Sequence, residues 1–365
     1  MQFSEEKWRA LVTGETCGFW AAVQRAGLRI CSWAYRLGAW LRNWALDRGW
    51  IRAHRIPGTV IVSIGNLVVG GTGKTPVIIR LAEEWTDCNV AVLSRGYRSL
   101  AEKRPQPVVL SKGDGPLQSA EQCGDEPFLI AQRVPTAMVV VGRRRVDAAR
   151  MAVDAGCNLL LIDDGMQHRQ LARDFEVVVM DAEDPFGLGY HLPRGYLRED
   201  LSSLRRADLV ILNHVKNINH FQLVKEKVAP YTSAPLVGSE LQVQGVQTVK
   251  EQEEASLMGR KVGIFCGIGM PHKFRQTVQG MGGEIVAELF SGDHRLFSEE
   301  AFHAFAEKCA SLGAEFLVCT EKDRVKIERL YSSPVPIAWV KVGLQIIAGF
   351  EAWEQFVETV QNRIA

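Results

Sequence analysis

Charge of one sign is what this chain most lacks. Its 43 Lys and Arg against 42 Asp and Glu leave +1 at pH 7. A nucleic-acid binder that works by bulk charge needs a basic excess, so no nucleic-acid partner is expected. The eight cysteines are scattered and include no Cys-x-x-Cys. That excludes the usual zinc and dithiol motifs and fits reduced, structural thiols of a cytosolic setting. No uncharged run approaches the ~20 residues of a spanning helix. The opening Met1-Gln-Phe-Ser-Glu-Glu6 has no basic n-region, so no cleavable signal peptide is expected. Repeats and low-complexity tracts are absent. What remains is ordinary for a globular protein, with 47% hydrophobic and 23% charged residues. A length of 365 residues has room for two domains.

The stretch Val60 to Pro76 organises the rest. It opens as a β-branched apolar run, Val60 to Ile64, which predicts a buried strand. A glycine-rich turn follows (Gly70, Gly71, Thr72, Gly73), then Lys74 and Thr75, then a helical segment, Val77 to Trp85. Strand, glycine loop, Lys-Thr and helix in that order make a phosphate-binding loop. Glycines let backbone N–H groups converge on phosphate oxygens, and the helix N-terminus adds partial positive charge. Lys74 reaches the terminal phosphates of a nucleotide such as ATP, and the Thr75 hydroxyl ligates Mg2+. The loop is a variant: the regular motif has glycine where this chain has Val68, and the deviant ATPase motif has lysine where it has Val69.

Asn158 to Ile162 followed by Asp163 and Asp164 has the form of a Walker B strand, whose carboxylates hold Mg2+ directly or through water. Gln167 and His168 come next and belong near the metal side. Ser94-Arg95-Gly96-Tyr97 follows a short strand, Val90 to Leu93, and sits where an α/β sheet places ligand contacts; Arg95 and Tyr97 read equally as loop residues. Asp125 and Glu126 precede a helical segment, and by themselves they read as helix capping, with Asp125 as N-cap and Pro127 at N1. Arg143, Arg144 and Arg145 open another helix against its dipole, which points to anion binding or a solvated surface. Residues 101–124, rich in Pro, Gly and polar side chains, read as a surface loop. The strand–helix rhythm predicts an α/β fold of the P-loop NTPase type, with a doubly wound parallel sheet.

Residues 1–57 differ. Six of the nine tryptophans lie in the first 50 residues, and seven arginines run from Arg25 to Arg55 with one acid, Asp47. Ile30, Trp33, Leu37, Trp40, Leu41 and Trp44 share a helical stripe, flanked by Arg25, Arg29 and Arg36. A basic, Trp-rich amphipathic helix suits a membrane surface, with arginines on anionic lipid; the alternative is a helix packed on the protein's own core. Residues 58–242 form the phosphate-loop domain, 243–258 a linker, and 259–365 a second, smaller α/β domain. That second domain carries Asp293-His294 and Thr320-Glu-Lys-Asp323. Its Gly267-x-Gly269 lacks the third glycine of a dinucleotide site.

Taken in order, the loop with Asn66, Ser94 to Tyr97, Gly124 to Pro127, Asp163 to His168, Leu192-Pro-x-Gly195 with Leu197-Arg-Glu199, Asp293-His294 and Thr320 to Asp323 resemble tetraacyldisaccharide 4'-kinase, the lipid A 4'-kinase of Gram-negative bacteria. The resemblance covers essentially the whole chain from residue 18. It implies transfer of the ATP γ-phosphoryl group to the 4'-hydroxyl of tetraacyldisaccharide 1-phosphate. It implies a lipid disaccharide substrate and a peripheral or monotopic location at the cytoplasmic face of the bacterial inner membrane. It makes Asp125 the general base, with His294 pairing and orienting it, Lys74 stabilising the transferred group, and Asp163 and Asp164 serving Mg2+. Arg95, Tyr97, Glu126, Gln167 and His168 become substrate contacts. The chain departs from the family at Arg295, where a second histidine is frequent, and at Arg194, where a small residue is usual.

A membrane-recruited P-loop ATPase switch of the partition type shares the loop, the Walker B strand and the basic helix. Valine at position 69 and the second α/β unit speak against it. The missing Asn-Lys-x-Asp speaks against a GTPase, since Lys322 and Asp323 are adjacent. No sequence feature points to a protein partner.

Overall fold

The computed structural model describes residues 5–248, 256–268, 271–291, 297–327 and 333–364. Helices α1 (Glu5–Thr13) and α2 (Phe19–Asp47) precede the sheet. Strand β1 (Val60–Gly65) leads into α3 (Lys74–Glu84), β2 (Val90–Ser94) and β3 (Val108–Lys112). Then come α4 (Ala120–Cys123), α5 (Asp125–Arg133), β4 (Met138–Val141), α6 (Arg145–Asp154), β5 (Leu159–Asp163) and β6 (Phe175–Asp181). They are followed by β7 (Leu209–Asn213), α7 (Ile218–Val228), β8 (Leu236–Thr248), β9 (Lys261–Cys266), α8 (Pro271–Gly280) and β10 (Glu284–Phe290). The series closes with α9 (Glu299–Ser311), β11 (Phe316–Thr320), α10 (Glu321–Ile327), β12 (Ile337–Ala348) and α11 (Phe350–Ile364).

All the described strands join one 12-stranded sheet, in the order β10-β9-β11-β12-β8-β7-β6-β1-β5-β2-β4-β3. Pairing is parallel except at β8/β12 and β3/β4. Strand β1 lies near the middle and is buried along its whole length. That is why it reads as a continuous apolar run rather than an alternating one. Val60, Val62 and Ile64 face α3, α5 and α11, while Ile61 faces the opposite layer with Ala148, Ala149 and Ala152 of α6. Helix α7 covers the same sheet farther along, through Phe221 and Val224 on Val210 and Leu212. The sheet is therefore doubly wound, as expected.

The second α/β unit extends this sheet instead of forming its own. Helix α9 packs Phe302 and Phe305 on one face, and α8 packs Phe274 and Val278 on the other. Strands β8 and β12 run antiparallel through both units: Val237 and Leu344 belong to the phosphate-loop core, Val246 and Val340 to the second one. Residues 243–248, expected to be linker, are thus strand. Helix α11, expected with the second unit, packs on α3, where Trp85 Nε1 donates to the Val357 carbonyl at 3.3 Å and Trp353 Nε1 to Glu84 at 3.1 Å. Trp85 is fully enclosed, and truncating it to alanine would remove about 3–5 kcal/mol.

Two local expectations change. Residues 101–124 hold the edge strand β3 and the short α4, so they are not all loop; the flanking Pro and Gly conceal the apolar run Val108 to Leu110. Gly124, with φ 99°, is the N-cap of α5, and Asp125 is its first residue, so Asp125 is not the cap. Ser298 caps α9, accepting from the Ala301 N–H.

Candidate active site

The glycine loop is held from several sides. Asn66 Nδ2 donates to Thr72 Oγ1 at 3.1 Å, and Asn213 Nδ2, at the end of β7, donates to the Thr72 carbonyl at 3.1 Å. The Val69 N–H donates to the Tyr196 carbonyl at 2.8 Å. Gly70 and Gly73 have φ of 120° and 81°, a region that side chains rarely adopt. Lys74 and Thr75 open α3 immediately afterwards, which places them at the positive end of its dipole. Val68 is 7% exposed and packs with Leu197 and Met166. The residue that breaks the regular motif is thus a core residue, bridged to Leu197 across the loop's arm.

Asp163 and Asp164 end β5 beside this loop. Ser94 Oγ, the last residue of β2, donates to Asp163 Oδ2 at 2.8 Å. Burial, with the Glu126 and Asp164 charges, pushes the Asp163 carboxyl up to about 6. Asp164 behaves oppositely. Burial raises it, but Lys74 and Arg198 prevail and bring it down to about 2. Lys74 Nζ stands 3.4 Å from Asp164 Oδ1, and Arg198 Nη1 also donates to the Gln167 Oε1 at 3.1 Å. Gln167 Nε2 donates to the Asn66 carbonyl at 2.9 Å, which ties the strand-end acids back to the loop. Burial, then Arg145, Arg173 and Arg95, bring the His168 imidazole down to about 4, so it is neutral at pH 7.

Of the three arginines at the start of α6, Arg145 is buried. It donates to the Gly142 carbonyl at 2.6 Å and the Asp163 carbonyl at 3.1 Å. Its role is to hold the turn and the end of β5. Arg144 pairs with Asp147 at 3.0 Å.

Helix α10 of the second unit faces α5. Lys322 Nζ lies 3.1 Å from Glu126 Oε1; Lys326 Nζ lies 3.8 Å from Asp125 Oδ2 and 3.2 Å from Asp323 Oδ1. Arg95 pairs with Glu102 at 2.7 Å, and Tyr97 is 59% exposed with Arg98 over its ring. Arg95, Tyr97, Asp125, Glu126, Lys322 and Lys326, with the loop and both strand-end acids, line one cleft of about 2590 Å³. His294 lies outside the described residues. Gly70 to Thr75, Arg95, Tyr97, Asp125, Glu126, Asp163, Asp164, Gln167 and His168 all line this cleft. The sequence reading gave no role to Ser94, Arg198, Asn213 and Lys326. Ser94 and Arg198 stand inside motifs already noted; Asn213 and Lys326 reach the site only through strand order and helix packing.

Among the described residues, no group of three or more His, Cys, Asp and Glu forms a ready-made metal cage. A phosphate-loop Mg2+ does not need one, because it takes one or two carboxylates and completes its shell with phosphates and water. The buried Asp163 carboxyl, raised by like charges and accepting from a neutral hydroxyl, is a donor set of that kind.

A family model described as tetraacyldisaccharide-1-P 4'-kinase matches residues 24–364. A protein named tetraacyldisaccharide 4'-kinase from Anaeromyxobacter dehalogenans (strain 2CP-C) is 36% identical over 343 residues, covering 91% of this chain and 90% of that protein. One of the same name from Syntrophus aciditrophicus (strain SB) is 37% identical over 336 residues, covering 87% and 88%. Among solved structures, the "apo" form of LpxK from Aquifex aeolicus in complex with ATP superposes with a TM-score of 0.73 at 26% identity. It covers 93% of this chain and 99% of that one.

Proposed function

The chain belongs to the tetraacyldisaccharide-1-P 4'-kinase family, the ATP-dependent kinases of lipid A biosynthesis, and we propose how its own residues carry out the transfer. The partition-type ATPase is not favoured, since the family match and the relatives span nearly the whole chain. The glycine loop and the α3 N-terminus cradle the ATP phosphates. Lys74 leaves Asp164 for the γ-phosphoryl group and offsets the charge that builds there. Asp125 accepts the proton of the sugar 4'-hydroxyl, and His294 orients it. Phosphoryl transfer needs alignment and charge neutralisation more than covalent help, and the cleft supplies both from fixed elements.

Thr75, Asp163 and Asp164 would hold Mg2+, which when bound neutralises the phosphate oxygens. Asp163 is the better ligand, because Asp164 already has Lys74 and Arg198 as partners. Arg95, Tyr97, Glu126, Gln167 and His168 face the acceptor and its phosphate.

The acceptor is a lipid, and α2 supplies a membrane-facing surface. Ile30, Trp33, Leu37, Trp40 and Leu41 are 64%, 61%, 56%, 56% and 47% exposed on α2, which supports a stripe laid on lipid over one packed in the protein core. The arginines expected on lipid are engaged differently. Arg25 donates to the Leu11 and Thr16 carbonyls, Arg29 lies over the Tyr190 ring, and Arg36 pairs with Asp200 at 2.8 Å. Apolar burial is then the main attraction, with headgroup charge secondary. Among the described residues no helix is long and apolar enough to cross a membrane. We place the protein as peripheral or monotopic at the cytoplasmic face of the inner membrane, a reading that the exposed apolar stripe of α2 supports.

The observation that carries this reading is Asp125 in the same cleft as Lys74, Asp163 and Asp164. The test is transfer from labelled ATP to tetraacyldisaccharide 1-phosphate in detergent micelles. Asp125→Ala should lower kcat by about 10²–10⁴ with ATP binding retained. Near wild-type turnover in that variant would sink the base assignment.

A further inference from the structure

Glu199 is fully buried, and its carboxylate is gripped from two sides. From the short 3-10 helix that follows it, Leu201–Arg206, Ser203 Oγ donates at 2.8 Å and Arg206 Nη2 at 2.7 Å. From α2, Arg42 Nη2 donates at 3.0 Å and Asn43 Nδ2 at 2.9 Å. A buried charge held this way is directional: moving a partner leaves one of its bonds unmade, at a cost above that of an exposed pair.

The next residue back is Arg198. Its backbone N–H donates to the Leu67 carbonyl at 2.7 Å, on the arm of the glycine loop. Its guanidinium holds Asp164 and Gln167. Helix α2 has a second grip on the same wall: Asp47 pairs with Arg169 at 2.5 Å, next in sequence to His168. At both places α2 holds the chain neighbour of a residue that lines the cleft.

We propose that Glu199 is a positioning residue through which α2 sets Arg198 and, through it, Asp164 and Lys74. On this account α2 does more than tether the protein. Its seating on the body is part of the geometry of the phosphate site, and an apolar surface that fixes α2 fixes that geometry too. The inference rests on reading Lys74 and Asp164 as the phosphate- and metal-side groups.

The test is the double variant Arg42→Met with Asn43→Ala. It removes the hold of α2 and leaves Glu199 with Ser203 and Arg206. Three quantities are measured: kcat, KM for ATP, and co-sedimentation with phosphatidylethanolamine–phosphatidylglycerol vesicles. We expect kcat/KM for ATP to fall by roughly tenfold to a hundredfold, the scale of an ångström-level misplacement, with vesicle binding unchanged because the exposed stripe is intact. Arg42→Lys, which keeps a cation near Glu199, should recover most of the loss. Wild-type kinetics in the double variant would overturn the proposal. So would a loss of turnover that simply follows a loss of vesicle binding. Should the double variant not fold, Asn43→Ser removes a single bond and is judged by the same readouts. Full turnover in Lys74→Ala would instead sink the underlying reading of the site, whatever the Arg42 and Asn43 variants do.

Discussion

Arg198 Nη1 lies 2.9 Å from each carboxylate oxygen of Asp164, closer than Lys74 Nζ at 3.4 Å. The arginine is therefore the fixed partner of that acid and the lysine the one able to leave it. Arg198→Lys should lower kcat/KM about tenfold, since a point charge cannot serve Asp164 and Gln167 together. Arg198→Ala should lower it about a hundredfold. Steady-state kinetics decide; equal values for the two variants would mean that charge alone matters.

Gly73 is confined twice. Its φ is 81°, and a Cβ there would collide with the Asn213 amide, which also holds the Thr72 carbonyl. Gly73→Ala should abolish ATP binding measured by calorimetry. Adding Asn213→Ala should not restore it, because the backbone strain remains and the Thr72 anchor is lost. Recovery in the double variant would show that the collision alone was responsible.

His168 makes part of the acid sensitivity. Its folded value is depressed from 6.5 to about 4, so the unfolded chain takes up this proton first as pH falls. The stability linked to His168 is complete above pH 6.5 and drains as pH drops towards 4. His168→Gln should flatten the Tm-versus-pH curve in that window relative to wild type and leave it unchanged above pH 7. An identical slope in both proteins would refute the assignment.

On the proposed reading, the outward stripe of α2 serves membrane binding and not folding. Trp33→Glu, Leu37→Glu and Trp40→Glu alter residues that are more than half exposed. Each should change stability by no more than about 0.5 kcal/mol and together they should abolish vesicle binding. The same changes in a helix packed on its own core would each cost several kcal/mol, so thermal melts and co-sedimentation distinguish the cases.

Much of the phosphate side was legible because local pattern decides it. The apolar run at Val60, the glycines and the Lys-Thr pair specify strand, turn and helix with few alternatives. The apolar acid-ended strand at Leu159 to Asp163 is equally local. Other features depend on pairings between distant segments. Strands β8 and β12 alternate weakly because each is shared between two cores, which hid half of β8 in an expected linker. Asn213 and Lys326 carry no motif and reach the loop and Asp125 only once the sheet order is known. The basic flank of α2 was visible, but its direction was not: an Arg-rich face suits partners on the body, such as Asp200 for Arg36 and the Tyr190 ring for Arg29, as well as a lipid headgroup.

The packing of α11 on α3 has a consequence for the order in which the protein can be made. The C-terminal end of the phosphate-loop helix, at Glu84 and Trp85, is closed by α11 through Trp353 and Val357. A ribosome delivers the glycine loop long before it delivers that cover. Until residues 350–364 emerge, the nascent nucleotide-binding unit presents Trp85 and its neighbours uncovered, so chaperone capture and ATP competence should both change at that point in synthesis.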